Sequence, residues 1–246
     1  MNRITVFGDI HANWPALEAV FADMAERGAE ESLYCLGDLV GYGTFPNEVV
    51  AAIRQRNIPT IMGNYDQGVG HSSDDCGCAY RTAEARALGD RSIAWSNAQT
   101  TEENKAYLRA LPAHIPLQLG VLRVLLAHGS PRRINEYLYE DRPDSSLERL
   151  MDQAQADVLV VGHTHKPYHR TLPSGRQVIN AGSVGKPKDG DPRACYVLLA
   201  AEGAELDVTF VRVAYDVERA ARAIEATEMP GGMPHEFAQM LREGSG

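Results

Sequence analysis

Short apolar runs alternate with helical patterns in the first third of the chain. Leu17, Val20, Phe21 and Met24 recur at the spacing of one helix face, so they predict a helix that ends near Gly28. Apolar runs that predict strands cover residues 3–7, 33–36 and 58–62, and a second helix is predicted over residues 46–56. This β-α-β-α-β order predicts parallel strands joined by crossover helices.

The rest of the chain contains more strands in succession. Strands are predicted over residues 115–119, 121–127, 157–161, 168–172, 176–180, 194–200 and 206–213. Helices are predicted over residues 79–97, 101–111, 147–154 and 217–226, and residues 68–78 are polar and glycine-rich, as in a loop. Because consecutive strands outnumber the helices that could connect them in parallel, the sheets are expected to be mixed.

Composition excludes several classes of protein. With 44% hydrophobic and 23% charged residues, the chain has the balance of a globular domain, and 246 residues bury a core without disulfides. Four cysteines are too few for a disulfide scaffold. Cys76 and Cys78 flank Gly77 in the predicted loop, and without a second such pair we interpret them as part of a plain loop rather than a redox or zinc site.

The net charge narrows the choice of partner. The chain has 24 Lys and Arg against 33 Asp and Glu, which gives a formal charge of −9. Nucleic acids and anionic membranes bind clustered positive charge, so neither is expected as a partner. A small anionic substrate remains possible because bound metal ions can reverse the field in a pocket. Without a long apolar run or a signal-peptide pattern, a cytoplasmic location is expected.

Polar side chains follow five of the predicted strands, at the point where each strand ends. They are Asp9, His11, Asp38, Asn64, His128, His163 and His165. The carboxyl ends of strands in an α/β sheet border a common crevice, so these side chains are expected to converge. His71, His114, His169 and His235 lack this placement and are interpreted as ordinary loop or strand residues.

The residue types at the strand ends indicate a metal site. Imidazole together with carboxylate and amide oxygen favours Mn, Fe, Zn or Ni over Ca and Mg. Seven protein ligands are too many for one ion that must also bind water. They suit two ions about 3.5–4 Å apart that share one carboxylate.

The combined motifs resemble a known family. Asp9-x-His11, Gly37-Asp38, Gly63-Asn64-x-Asp66, His128 and Gly162-His163-x-His165 resemble the signature of the calcineurin-like metallophosphoesterase superfamily, over roughly residues 3–200. Residues 180–185 are also similar to the stretch after the last histidines in small bacterial and archaeal members. The resemblance implies an α/β fold, a four-layer α/β/β/α sandwich of two mixed sheets flanked by helices.

The resemblance also implies a division of the ligands between two divalent ions, of which Mn²⁺ is the first choice and Fe, Zn or Ni are alternatives. One ion would be held by Asp9, His11, Asp38 and His165. The other would be held by Asp38, Asn64, His128 and His163. A hydroxide between the ions would be the nucleophile. Asp66 would orient a ligand rather than bind metal.

Tyr65 departs from the family pattern, which usually has histidine at this place. Asn64, Tyr65 and Asp66 are the candidate catalytic residues. Tyrosine is a weaker general acid near neutral pH because its unperturbed pKa is about 10. We therefore expect a preference for small phosphodiesters or activated phosphomonoesters over alkyl phosphates. A packing role for Tyr65 is the alternative.

The predicted function is dinuclear-metal-dependent hydrolysis of small phosphoesters. A protein or dinucleotide-polyphosphate phosphatase of the same chemistry, and a non-catalytic metal-binding scaffold, remain as alternatives. A scaffold would not need a polar cluster of seven ligands, whose burial is costly. The basic residues Arg132, Arg133, Lys186 and Lys188 are either phosphate contacts or solvated loop residues. The oligomeric state stays open.

The spread of the motifs along the chain indicates its domain organisation. Because the candidate ligands extend from Asp9 to His165, we predict a single domain over residues 1–226. Within it, the helices of residues 79–111 would form a partial lid. Residues 227–246 are rich in Gly, Met and Glu and are predicted to be a loosely held C-terminal tail.

Overall fold

A computed structural model describes residues 2–80 and 82–245, which form two β-sheets and flanking helices. The strands are β1 Arg3–Phe7, β2 Leu33–Cys35, β3 His114–Leu119, β4 Leu122–Ala127, β5 Val158–Val161, β6 Tyr168–Thr171, β7 Gln177–Asn180, β8 Ala194–Glu202 and β9 Glu205–Val213. The helices are α1 Trp14–Glu26, α2 Pro46–Gln55, α3 Asn64–Gly70, α4 Ala83–Gln99, α5 Glu102–Arg109, α6 Asp144–Ala154, α7 Val217–Glu225 and α8 Met233–Glu243.

Both sheets are mixed, as the succession of strands predicts. The first has the order β2-β1-β8-β9, in which only β1 and β2 are parallel. The second has the order β3-β4-β5-β7-β6, in which β4, β5 and β7 are parallel and the two outer pairs are antiparallel. The parallel strands are β1 and β2 in the first sheet and β4, β5 and β7 in the second, and the candidate site residues follow their carboxyl ends.

The alternation of side chains along the strands produces the layers. In β5, Val158 and Val160 belong to a buried cluster that contains Ile4 and Val6 of β1, so this cluster lies between the two sheets. Leu159 and Val161 of the same strand belong to another cluster, with residues of α6. Helices α1 and α2 cover the first sheet in the same way. The four-layer α/β/β/α sandwich is therefore confirmed.

Residues 58–62 are not the strand that their apolar run predicts. They form one isolated parallel bridge, between Thr60 and Cys35 at the end of β2. The backbone N–H of Met62 then donates to the carbonyl oxygen of Pro112, outside the sheet. The backbone therefore leaves the sheet edge after one bridge. The predicted loop is also shorter than expected, because α3 extends to Gly70.

The C-terminal segment is a packed helix rather than the loosely held tail that we expected. Met233 and Phe237 of α8 are buried against Ala220 and Ile224 of α7. Met233, Phe237 and Leu241 recur every fourth residue, so α8 has one apolar face, and α7 covers it. The glycines and proline around this segment obscured that pattern in the sequence.

The helices of residues 79–111 correspond to α4 and α5. Leu88 and Trp95 of α4 pack against the cluster formed by α7 and α8. Whether this region moves as a lid, and whether the chain is a single domain, remain predictions. Within residues 2–80 and 82–245, no helix has the length and apolarity needed to cross a bilayer.

Candidate metal centre

The seven candidate ligands converge beside the carboxyl ends of the strands. Each of them is at most 4% exposed. Two compact groups are present within the described residues: one contains Asp9, His11 and His165, and the other contains Asp38, His128 and His163. In each group, one potential ligand atom per residue lies within 4.8 Å of the others. The grouping matches the division that the family resemblance implies.

Asp38 lies between the two groups. Its Oδ2 atom is 3.6 Å from His11 Nε2 and 3.4 Å from His128 Nε2. Asn64 completes the second group, because its Oδ1 atom is 3.1 Å from the same His128 nitrogen. A carboxylate in this place can contact an ion in either group, as a bridging ligand must.

The tautomers of His11 and His165 show that their group suits a cation. The Nδ1 atoms donate to the carbonyl oxygens of Val40, at 3.0 Å, and Lys186, at 2.6 Å, so both carry a proton. Burial lowers the pKa of His11 to about 3 and that of His165 well below its usual value, so both rings are neutral. Their Nε2 lone pairs then face each other at 3.1 Å, with Asp9 Oδ1 3.2 Å from His165. A metal ion satisfies all three atoms at once.

The second group also contains atoms that can bind a cation. His128 Nδ1 donates to the Leu36 carbonyl oxygen at 2.8 Å, which directs Nε2 toward Asp38 and Asn64. Burial opposes the charged form of His128, but the Asp38 carboxylate outweighs it and raises the pKa to about 10. This shift reflects the strongly negative potential into which an ion would bind. His163 Nε2 is buried and has no hydrogen-bond partner in the described part of the chain.

Strained turns aim the ligands into the centre. Five candidate ligands have φ between 49° and 65°, a region in which non-glycine residues are uncommon: Asp9, His11, Asp38, His163 and His165. Each such residue costs on the order of 1–3 kcal/mol, although Asp and His tolerate the conformation better than most. Strain of this kind clusters at functional sites, and here it coincides with both groups.

Asp66 supports the turn that carries Asp38. Its carboxylate accepts hydrogen bonds from the backbone N–H groups of Asp38 at 2.7 Å, Leu39 at 2.9 Å and Gly63 at 3.0 Å. Burial and the neighbouring Asp38 carboxylate raise the pKa of Asp66 to about 7. Gly63 is required here because a Cβ atom would lie 2.1 Å from Asp38 Oδ1.

Tyr65 contacts the centre through its backbone rather than its hydroxyl. The Tyr65 N–H donates to Asp38 Oδ1 at 2.8 Å. The side chain is 1% exposed, its hydroxyl lies 3.5 Å from Ser92 Oγ, and its ring packs against His11 and Tyr42. Burial raises the pKa of Tyr65 well above its usual value. These contacts favour the packing alternative.

Several supporting residues were not assigned a role from the sequence. Ser183 Oγ donates to the Asp9 carbonyl oxygen at 2.7 Å, and Asn180 Nδ2 donates to the Gly162 carbonyl oxygen at 2.7 Å. Both lie in the 180–185 segment, whose resemblance to family members was the available signal. The Tyr137 ring packs on His163 with centroids 4.0 Å apart, and no pattern in the sequence indicated this contact.

A cleft of about 870 Å³ lies beside the centre. Its aromatic and basic lining residues include Tyr42, Tyr80, Tyr137, Tyr139, Lys166, Lys186 and Lys188. The Lys186 ammonium lies 4.7 Å from the Tyr42 ring centroid, and the residue is 4% exposed. Burial lowers the pKa of Lys186, and within the described chain it has no carboxylate partner. Arg132 is instead paired with Glu136.

Comparisons with known proteins agree with this geometry. Residues 2–204 match the family model described as the calcineurin-like phosphoesterase superfamily domain. The chain is 34% identical to the uncharacterized protein MJ0912 of Methanocaldococcus jannaschii, over 93% of this chain and 94% of that one.

Two solved structures resemble the chain over nearly its full length. A metallophosphoesterase from Sphaerobacter thermophilus is 30% identical with a TM-score of 0.75, over 99% of each chain. The hypothetical protein PH1004 from Pyrococcus horikoshii is 25% identical with a TM-score of 0.82, over 100% of this chain and 99% of that one. The chain therefore belongs to the calcineurin-like phosphoesterase superfamily and is a metal-dependent phosphoester hydrolase.

Proposed function

We propose that the protein hydrolyses small phosphodiesters or activated phosphomonoesters with two metal ions bound on either side of Asp38. The observation that carries this proposal is the position of Asp38 Oδ2, 3.6 Å from His11 Nε2 and 3.4 Å from His128 Nε2. Asp9, His11 and His165 would hold one ion, and Asn64, His128 and His163 would hold the other. Mn²⁺ is the proposed metal, since the mixed nitrogen and oxygen ligands suit it.

When bound, two metal ions would supply Lewis-acid stabilisation of the phosphate oxygens and would lower the pKa of bound water. The protein's own contribution is to hold the ligands rigidly. His11, His128 and His165 each donate Nδ1–H to a backbone carbonyl oxygen, which fixes the ring orientation. Asp66 and the Tyr65 N–H hold the Asp38 turn from two sides.

The cleft supports a small anionic substrate. Lys186 and Lys188 line it. Among the described residues no carboxylate offsets the burial of Lys186, whereas Asp9 and Asp38 partly offset that of Lys188. Burial disfavours the ammonium form of Lys186, and an anion that binds beside the amine would favour that form and gain a charged hydrogen bond from it. The tyrosines of the cleft offer flat apolar surface to an aromatic or other apolar ester group.

The surroundings of Tyr65 support the preference for good leaving groups. The Tyr65 hydroxyl contacts Ser92, so this position supplies no acid to the leaving oxygen. General-acid catalysis contributes roughly 10²–10⁴-fold, and esters of acidic alcohols need it least. We therefore expect aryl diesters to be hydrolysed much faster than alkyl phosphates, and Tyr65→Phe to change this ratio little. Equal rates for the two substrate classes would contradict the preference.

A hydrolysis and metal-binding experiment tests the proposal as a whole. The wild type and Asp38→Asn should be assayed with Mn²⁺ on a panel of aryl and alkyl phosphoesters, with bound metal counted by mass spectrometry. We expect two ions per wild-type chain, and a loss of roughly 10²-fold or more in activity for Asp38→Asn, because outer-shell changes alone cost 10–100-fold. The exposed Asp207→Asn is the control. Undiminished activity in Asp38→Asn would overturn the proposal.

A further inference from the structure

The two cysteines of the 76–78 turn lie next to each other. Cys76 Sγ is 2.8 Å from Cys78 Sγ, and both thiols are free. Gly77 between them has a φ of 68°, a conformation that glycine adopts readily, and it accompanies the close approach of the two sulfurs. The Gly77 N–H donates to Asp75 Oδ1 at 2.8 Å, which stabilises the turn from within. The two sulfurs are therefore close enough to be joined with little movement.

The turn is bonded to a proposed metal ligand. Asn64 Nδ2 donates to the Cys76 carbonyl oxygen at 3.0 Å and contacts Cys78 Sγ at 3.2 Å. These contacts occupy the amide nitrogen, so the other amide atom, Oδ1, faces His128. The 76–78 turn thereby sets the orientation of the Asn64 side chain.

The turn also forms a hydrogen bond with the loop that follows β4. Asn135 Nδ2 donates to the Gly77 carbonyl oxygen at 2.7 Å. Asn135 is two residues from Tyr137, whose ring packs on His163. The turn is therefore bonded both to Asn64 and to the loop that carries Tyr137.

Small molecules can reach one of the two thiols. Cys78 lines the cleft and is partly exposed, whereas Cys76 is 6% exposed behind it. Cys35 and Cys195 are both fully buried in apolar clusters or strands. Cys78 is thus the thiol that a dissolved oxidant meets first, and Cys76 is the one positioned to react with it afterwards.

We propose that Cys76 and Cys78 are an oxidation site at which a hydroperoxide forms a disulfide and weakens metal binding by Asn64. The Cys78 sulfur attacks the peroxide oxygen, which forms a sulfenic acid and releases water from hydrogen peroxide. The Cys76 sulfur then attacks the sulfenic sulfur, and a second water leaves. Two thiols and one hydrogen peroxide give one disulfide and two waters, so the peroxide is reduced and the thiols are oxidised.

The disulfide changes the support of Asn64. A disulfide bond is about 2.05 Å long, so the sulfurs must approach by roughly 0.8 Å and the turn must tighten. This movement displaces the Cys76 carbonyl oxygen and the Cys78 sulfur, the two groups that contact the Asn64 amide nitrogen. The affinity of the second group for metal falls as a result. The expectation that hydrolysis is also lost rests on the proposed function.

Peroxide treatment of the full chain tests the oxidation site without an activity assay. Intact-mass measurement should show a loss of about 2 Da per chain, reversed by dithiothreitol, and peptide mapping should place this loss in the peptide that contains both Cys76 and Cys78. Cys76→Ser should not form the cross-link, whereas Cys195→Ala should form it as the wild type does. Absence of the cross-link in the wild type at millimolar peroxide would overturn the proposal.

Calorimetry with Mn²⁺ tests the connection to the metal centre. We expect the oxidised wild type to bind the ion of the second group, which includes Asn64, at least about tenfold more weakly. A loss of this size is typical when a residue that orients a metal ligand is removed. Peroxide-treated Cys76→Ser should keep the affinity of its untreated form. Unchanged affinity after complete cross-linking would overturn the connection. If the cross-link forms and the affinity falls while no phosphoester is hydrolysed, the proposed function fails and the oxidation site stands.

Discussion

Lys186 is the single residue whose environment most directly implies an anion. Its ammonium is almost entirely removed from solvent, lies over the Tyr42 ring and borders the cleft. A hydrogen bond to a charged group contributes about 1.5–3 kcal/mol. We therefore expect Lys186→Met to raise KM for an aryl phosphodiester by roughly tenfold or more, with a smaller change in kcat. Steady-state kinetics in the presence of Mn²⁺ measure both constants.

Lys166 provides the matched control for this change. It lines the same cleft but is exposed, so its charge is already well solvated. Lys166→Met should shift KM by less than about twofold, in keeping with the small effect of exposed charges. Equal KM values for Lys186→Met and the wild type would show that Lys186 does not contact the substrate.

The candidate ligands could be predicted from the sequence, whereas most of their supporting contacts could not. Asp9 and His128 closely follow strands that apolar runs identify, so their convergence is a consequence of sheet geometry. The packing of Tyr137 on His163 depends on the path of a loop, for which side-chain periodicity carries no information. The hydroxyl of Tyr65 likewise contacts Ser92 only because α4 lies where it does.

At the scale of elements, helix α8 packs against Tyr42, one of the residues that line the cleft. Phe237 is 2% exposed and meets the Tyr42 ring edge-on, with centroids 5.3 Å apart. Truncation of a buried phenylalanine costs about 3–5 kcal/mol, so Phe237→Ala should lower the free energy of unfolding by that amount. Urea denaturation provides the measurement. Val121→Ala, at a side chain that is 65% exposed, should stay within about 0.5 kcal/mol of the wild type.

The loop between β4 and α6 is held by Glu136. Its carboxylate accepts hydrogen bonds from Arg132 Nε and Ser130 Oγ, each at 2.7 Å, and from Arg142 Nη2 at 2.9 Å. The hydrogen bond from Arg132, followed by those from its neighbours, lowers the pKa of Glu136 from 4.5 to about 2. The folded state therefore binds this proton less readily than the unfolded state, so stability rises with pH between about 2 and 4.5 and the gain is fully present above pH 4.5.

Glu136→Gln tests this pH dependence. At pH 7 the variant should be less stable than the wild type by roughly 1 kcal/mol. The difference should shrink as pH falls below 4.5 and vanish only below pH 2, where the wild-type carboxylate is protonated in both states. Urea unfolding at pH 7, 4 and 3 measures the trend, with the exposed Glu140→Gln as control. A difference that is independent of pH would contradict the assignment.

The elements that periodicity predicts least well are those without a clean pattern. Residues 58–62 are apolar enough for a strand, but hydrogen bonding to Pro112 removes them from the sheet edge. Helix α3 contains two glycines, which disfavour helix in isolation, and it forms because Asn64 and Asp66 are held at its first turn. In both cases a tertiary contact outweighs the local preference.

At the scale of the whole molecule, the formal charge of −9 predicts discrimination against polyanions. Two divalent ions would reduce it only to −5, so the molecule as a whole would stay negative. We expect no saturable binding of a labelled DNA duplex at 150 mM salt, with any Kd weaker than roughly 10⁻⁴ M. Fluorescence anisotropy measures this, and binding at micromolar protein would contradict the expectation. Hydrolysis of small diesters should proceed under the same conditions.

The layered architecture was predictable from the family resemblance, and the alternation of side chains along the strands agrees with it. Val158 and Leu159 face opposite layers, as a period of two requires. The pairing of β1 with β8 was not predictable in the same way, since nothing in either run specifies its partner. Mixed sheets followed from the succession of strands, whereas the strand order required the structure.

The pairing of β1 with β8 also bears on the order of events during synthesis. β1 ends at Phe7 and β8 begins at Ala194, so ribosomal elongation at roughly 5–20 residues per second leaves that edge of β1 without its partner for about 10–40 s. Asp9 lies two residues after β1, and its carbonyl oxygen lacks the hydrogen bond from Ser183 for a similar time. Nascent chains would therefore capture ions only late in translation, after the second sheet has emerged.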